Sequence, residues 1–461
     1  METTTFEINE MLKEGILQGV LWTSDTVQRT AVCLARMPRL ENLTILDNNR
    51  FVAVEDDNHD EHDNNNNTTF RALLQVLAQH ENLKRLSIAH GDLSSVLVDI
   101  AEVYTHTNHS KSSLEELELV AGNKIRPSEA AYLRKVVHIP SQTLSLSFHL
   151  NQKDYGPVLQ ALRQGVDDGL WKTTATRILF RNVSFPDHEF HLHRFLAMMC
   201  QAACIQGLAL NPRRRRVAHD AESMRVGPGF LPALARLLEL DGVLESLDIT
   251  NLVVEQPMVD DALVAAFRHA LASNTSLQRL SLPCTKGMAR IWQEAVFPAL
   301  ATSNRTLQHL EFGHEPGVVA SFLHHLPHMQ GLTSVQAPWR TPDGPAWMAA
   351  VPQAASLCHL HLRMVPNLHD VVKPCQSSGH EKQQQDEQED YCLTQTRQWV
   401  ERHRLTRLAQ DILVQQPPET AAVGPWVEHL AGFVQTTDDV GLDARYVLLR
   451  ESLAALVSPT S

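Results

Sequence analysis

The hexapeptide pattern L-x-x-L-x-L recurs along this chain and constrains its fold more than any other feature. It stands at Leu114–Leu119 and Leu277–Leu282, with an isoleucine closing it at Leu244–Ile249 and a phenylalanine at Leu307–Phe312. In an extended strand, successive side chains alternate between faces. The second and third apolar residues of each hexapeptide therefore point one way and their neighbours the other. The last two copies begin 30 residues apart, at 277 and 307. A strand returning at such a spacing is the mark of a stacked repeat array, in which no unit buries its apolar face alone.

Extending the pattern by its central apolar pairs predicts strands at Leu43/Ile45, Leu86/Ile88, Leu117/Leu119, Leu144/Leu146, Ile178/Phe180, Leu208/Leu210, Leu247/Ile249, Leu280/Leu282, Leu310/Phe312, Val335/Ala337 and Leu360/Leu362. Between strands the apolar period changes from two to helical. Leu263, Phe267, Ala270 and Leu271 share one stripe of a helix beginning near Asp261, and Ser128–Val137 and Asp25–Met37 read likewise. One helix per strand predicts an α/β solenoid with a parallel inner sheet and outer helices.

The stretch DDALVAAFRHALASNTSLQRLSL, Asp260–Leu282, resembles leucine-rich repeats of the ribonuclease-inhibitor type. Asn123-Lys124-Ile125 and the helix after it, containing Ala130, are similar. The resemblance spans residues 25–370 and implies a leucine-rich repeat horseshoe. In that family an asparagine follows the strand. Asn48 fits that place, but Gly91, Gly122, Leu252, Thr285 and Glu315 occupy it elsewhere. The turn hydrogen bonds must then be met by other groups, and irregular curvature is expected.

Two segments interrupt the repeats. Residues 56–67 (DDNHDEHDNNNN) are acidic and asparagine-rich and predict a loop, and residues 211–229 carry Arg213–Arg216 and then Gly227-Pro228-Gly229. Residues 1–24 are expected to form an N-terminal cap. Residues 371–390 read as a disordered linker, and 391–461 as a small C-terminal helical region covering the last repeat. Its apolar stripes are Trp399, Leu408 and Ile412, then Trp426, Leu430 and Phe433, then Leu442, Tyr446, Leu449 and Leu453.

A net charge of −13 argues against a nucleic-acid partner and for solubility. Seven cysteines in no paired spacing point to a reducing compartment. The N-terminus lacks the basic and apolar regions of a secretory signal, and no apolar run suffices to span a bilayer. An intracellular location is expected, cytoplasmic rather than nuclear, although Arg213–Arg216 has the composition of an import element. The sequons at Asn274 and Asn304 read as turn residues preceding strands.

No phosphate-binding glycine loop and no G-x-S-x-G elbow occur. His188, His191 and His193, with Cys200 and Cys204, lack the paired ligand spacing zinc prefers, so neither metal nor cofactor is predicted. Cys392 precedes the terminal helices, as a catalytic cysteine does in some bacterial ubiquitin ligases with leucine-rich repeats. Thr394 stands where that family has an acidic residue, which argues against an enzyme.

The outward positions of the strands are the candidate binding residues: Arg85, Glu116, Glu118, Asp248, Arg279, His309, Glu311, His359, His361 and Arg363, with Ser145, Arg177 and Arg181 among them. Trp339 joins them as an aromatic anchor, with Trp347 nearby. Their mixed sign matches a protein partner better than a polyanion or a membrane. The expected function is a non-catalytic scaffold binding a protein on the concave face. The alternative is an enzyme regulator, either a small-GTPase activator or a ubiquitin-ligase substrate receptor.

Overall fold

The structure is a computed structural model. It describes residues 13–18, 24–46, 63–90, 93–106, 114–124, 127–137, 141–149, 155–168, 177–183, 192–210, 224–227, 229–250, 252–254, 259–315, 317–340, 343–364, 392–396 and 398–400. The Arg213–Arg216 run, the 371–390 linker and residues 401–461 lie outside these. The chain forms two compact units, Met1–Ala266 with Ser281–Pro283, and Phe267–Leu280 with Cys284–Ser461.

Strand and helix alternate throughout. The first unit holds β1 (Glu14–Gln18), β2 (Asn42–Leu46), β3 (Arg85–His90), β4 (Glu116–Lys124), β5 (Thr143–His149), β6 (Arg177–Val183), β7 (Gly207–Leu210), β8 (Met224–Val226), β9 (Ser246–Asp248) and β10 (Leu252–Val254). The remaining strands are β11 (Arg279–Ser281), β12 (His309–Glu311), β13 (Ser334–Trp339) and β14 (His359–Met364). Twelve of them are parallel-sheet strands taken in chain order, β1–β7 then β9 in the first unit and β11–β14 after it. β8 and β10 pair with each other instead. This is an α/β, solenoid-like architecture.

The register aligns the predicted apolar pairs into rows. Leu43, Leu86, Leu117, Leu144 and Ile178 are successive partners across β2–β6. Each is at most 2% exposed. A second row runs through Ile45, Ile88, Leu119, Leu146 and Phe180 to Leu208 and Leu247. A fully buried leucine contributes about 1.5–3 kcal/mol, so these rows are the main stabilising element of the unit.

The helices bury the stripes that their sequences predict. In the helix Asp261–Ser273, Leu263, Phe267, Ala270 and Leu271 are all buried. β1 was not among the predicted strands, and it places a sheet strand inside the expected N-terminal cap. The helix Asp63–Ala78 takes in Asp63–Asn67, so the end of the acidic segment expected to be a loop is helical. Within 211–229, residues 224–226 are β8. Of the C-terminal region, 392–396 and 398–400 are described, and both are helical. A β-carbon built on Gly344 would stand 3.0 Å from the Cys392 β-carbon, so 392–396 packs on the helix that follows β13.

The turns into β9, β11 and β12 are each held by a polar side chain upstream of the strand. Asn274 Oδ1 accepts the N–H groups of Ser276 and Leu277, at 3.1 and 2.7 Å. Asn304 Oδ1 does the same for Thr306 and Leu307, at 3.1 and 2.9 Å. Asp241 Oδ1 serves Val243 and Leu244, at 2.9 and 3.1 Å. All three acceptors stand three residues before the first leucine of a hexapeptide (241 and 244, 274 and 277, 304 and 307).

Asp241 is 2% exposed, and burial raises its pKa above the ordinary carboxylate value. A raised carboxyl pKa means the folded state holds the proton more tightly than the unfolded state. Stability is therefore lost as pH rises from the unfolded pKa through the folded one. Asp241→Asn keeps the Oδ1 acceptor and removes the buried charge. It is expected to raise stability at neutral pH by about 1 kcal/mol. Urea denaturation at neutral and acidic pH checks this. The gain should shrink on acidification, and a loss at neutral pH would show that the charge itself is needed.

Candidate functional site: the outward faces of the strands

Alternation that sends leucines into the core sends the residues between them to the opposite face. On the first unit that face is organised around Glu116 of β4, which is 16% exposed at its side chain. Its carboxylate lies 3.3 Å from Arg85 Nε of β3 and 3.0 Å from an Arg181 guanidinium nitrogen of β6. Ser145 Oγ of β5 donates to it at 3.1 Å. Arg181 reaches across β5 because the intervening side chain, Ser145, is small and fully buried.

One row on, Ser87 Oγ donates to Glu118 at 2.8 Å. Arg177 pairs with Glu245. Arg85, Ser87, Glu116, Glu118 and Arg181, together with Glu14 and Asn42, edge a depression of about 300 Å³. Ile16 also lines it and is 66% exposed. Charges held by several partners keep one geometry, which lowers the entropy cost of meeting a binding partner.

On the second unit the face is organised differently. Glu311 of β12 accepts from Gln336 Nε2 of β13 at 3.1 Å and pairs with Arg363 of β14 at 2.8 Å. His309 is a lateral partner of Ser334, which is in turn a partner of His359. Gln336 stands likewise between Glu311 and His361. The His309 pKa lies below the usual imidazole value, first through burial, then through repulsion by Arg279 and His359.

Two expected site residues are placed otherwise. Trp339 is fully buried beside Trp347, the two rings tilted with centroids 6.4 Å apart, so it is core and not an exposed anchor. The reason is phase: Val335 and Ala337 point inward, and Trp339 is two residues further on. Asp248 is turned to a local task, its Oδ1 accepting from the Thr250 N–H and hydroxyl at 3.2 and 2.8 Å. The remaining expected residues, Arg85, Glu116, Glu118, Arg279, His309, Glu311, His359, His361 and Arg363, lie on the outward face. Glu14, Asn42 and Gln336 belong with them. All three sit in the same period-two phase, which is the signal that locates them.

The described cysteines are free. Burial pushes the thiols of Cys204 and Cys284 up to about 12 and raises that of Cys200. These three are therefore protonated at neutral pH and poor nucleophiles. Among the described residues no group of three or more His, Cys, Asp or Glu is placed to hold a metal ion. Among the same residues no helix is long and apolar enough to cross a membrane. No protein-family model matches the chain, and a search of curated proteins finds no match.

Proposed function

We propose that this chain is a non-catalytic interaction protein, an intracellular leucine-rich repeat scaffold of the ribonuclease-inhibitor type. In this reading its strands line the concave side of a horseshoe and bind a protein partner there. The observation that carries the proposal is the Glu116 centre, where side chains from four adjacent strands converge on one fixed outward constellation. A merely solvated sheet face has no need of such a network. Exposed ion pairs add little to stability, so stability alone does not account for it. The mixed sign of the face suits a protein surface better than a uniform polyanion.

The test is capture of partners by the full chain and by a variant carrying Arg85→Glu and Arg279→Glu, both exposed positions. Juxtaposed like charges across an interface cost several kcal/mol. Capture of the specific partner is expected to fall by roughly tenfold or more while circular dichroism is unchanged. Equal capture by both proteins would place the binding surface elsewhere and remove the support for this reading.

A further inference from the structure

The two outward faces differ in charge balance, and the difference points to a class of partner. On the first unit, cations and carboxylates answer one another at Glu116 and Glu245. On the second unit the outward positions of β11, β12 and β14 carry Arg279, His309, His359, His361 and Arg363, and among the described residues of these strands the one carboxylate is Glu311. That carboxylate is already engaged by Gln336 and Arg363. β13 contributes Ser334 and Gln336 to this face and no charge. Arg279, His359 and His361 are exposed. Among the described residues none of the three takes part in an ion pair. Beyond the strands, His314 feels the charge of Arg340 and of the carboxylates Asp343 and Glu315.

We propose that this face of the second unit docks an acidic, Asp/Glu-rich segment of a partner protein, and grips it more tightly as pH falls from neutral. The inference rests on the scaffold reading and names the chemistry of its partner. Four adjacent strands span about 14 Å, the length of roughly four extended residues. A short acidic segment laid across them meets Arg279, His309 and His359 in one row, and His361 and Arg363 beside it. A nucleic acid requires a longer basic track, and Glu311 would sit against its phosphates.

The pH dependence follows from the same geometry. In the free protein burial, then Arg279 and His359, lower the His309 pKa and disfavour its charged form. An arriving carboxylate offsets that repulsion and raises the imidazole pKa. Proton uptake then accompanies binding, so affinity grows as pH falls through the histidine range.

The test is fluorescence anisotropy of a short labelled polyglutamate peptide, with the polyglutamine peptide of equal length as control, added to the full chain. Polyglutamate is expected to bind and polyglutamine not. Affinity should rise about tenfold between about pH 7.5 and about pH 6 and weaken with added salt. Arg279→Gln should weaken binding at both pH values, whereas Arg134→Gln, on a helix of the first unit and outside the proposed face, should not. His309→Gln, His359→Gln and His361→Gln together should abolish the pH dependence, with circular dichroism verifying the fold.

Equal binding of both peptides would overturn the proposal, as would a pH dependence that survives loss of the three histidines. A single-stranded RNA oligomer that binds more tightly than polyglutamate, and is lost with Arg279→Gln, would assign the face to nucleic acid instead. A chain that ignores polyglutamate, yet loses its captured partner in the charge-reversed variant, would overturn this inference and leave the scaffold reading standing.

Discussion

Phe322→Ala is expected to destabilise the second unit by about 3–5 kcal/mol, the largest single-site loss foreseen for this chain. Phe322 is fully buried in the helix Val318–His325. Its ring centroid lies 5.4 Å from that of Phe297, 4.9 Å from Phe312 and 5.8 Å from Trp347. Trp292 extends the cluster, 5.4 Å from Phe297 and 5.7 Å from Phe312. Removing the central ring leaves a cavity that its rigid aromatic neighbours cannot close, so the transfer and cavity contributions add. Phe322→Leu refills most of the volume and should cost about 1.5 kcal/mol or less. Equilibrium urea unfolding followed by tryptophan fluorescence reports on the site through Trp292 and Trp347. A loss below about 1 kcal/mol for the alanine variant would mean that the cluster is not packed as described.

Much of this fold was legible because alternation is a strong signal wherever both inward positions of a strand are large and apolar. β2 and β12 are such cases. β1 lacks it, since Gly15 and Leu17 occupy the two positions that Leu43 and Ile45 fill next door. β8 and β10 lie off the hexapeptide pattern, and they pair with each other instead of joining the longer sheet.

The outward set follows from the same alternation, and Trp339, in the inward phase of Val335 and Ala337, falls outside it. The pairing between outward side chains was not legible. That Arg181 reaches Glu116 over an intervening strand depends on strand order, register and the small Ser145, none of which a linear pattern contains. The turn-holding residues were visible as asparagines before strands. Which backbone groups they hold depends on the fold of the turn, which the linear pattern does not contain.

Asn304 supplies the second large expected effect, because one side chain serves four backbone groups. Its Oδ1 accepts from the Thr306 and Leu307 N–H groups. Its Nδ2 donates to the Leu271 and Asn274 carbonyls, at 2.7 and 3.1 Å, tying one repeat to the turn before it. The residue is 3% exposed, so water cannot replace these bonds without opening the turn. Each buried backbone group left without a partner costs about 1–3 kcal/mol, and partial relaxation brings the expected total for Asn304→Ala to about 3–4 kcal/mol. Asn304→Asp separates the two halves of the role. It keeps the acceptor and turns a carboxylate toward two carbonyl oxygens. That repulsion favours the protonated acid in the folded state, so the variant should be more stable at acidic than at neutral pH, the inverse experiment to Asp241→Asn. The same geometry bears on the sequon Asn304-Arg305-Thr306: Nδ2, the atom a glycan would occupy, is buried and donating. Mass spectrometry of the chain passed through a glycosylating host should find Asn304 bare in folded material. A glycan there on folded protein, or an alanine variant as stable as the native chain, would refute the buried turn.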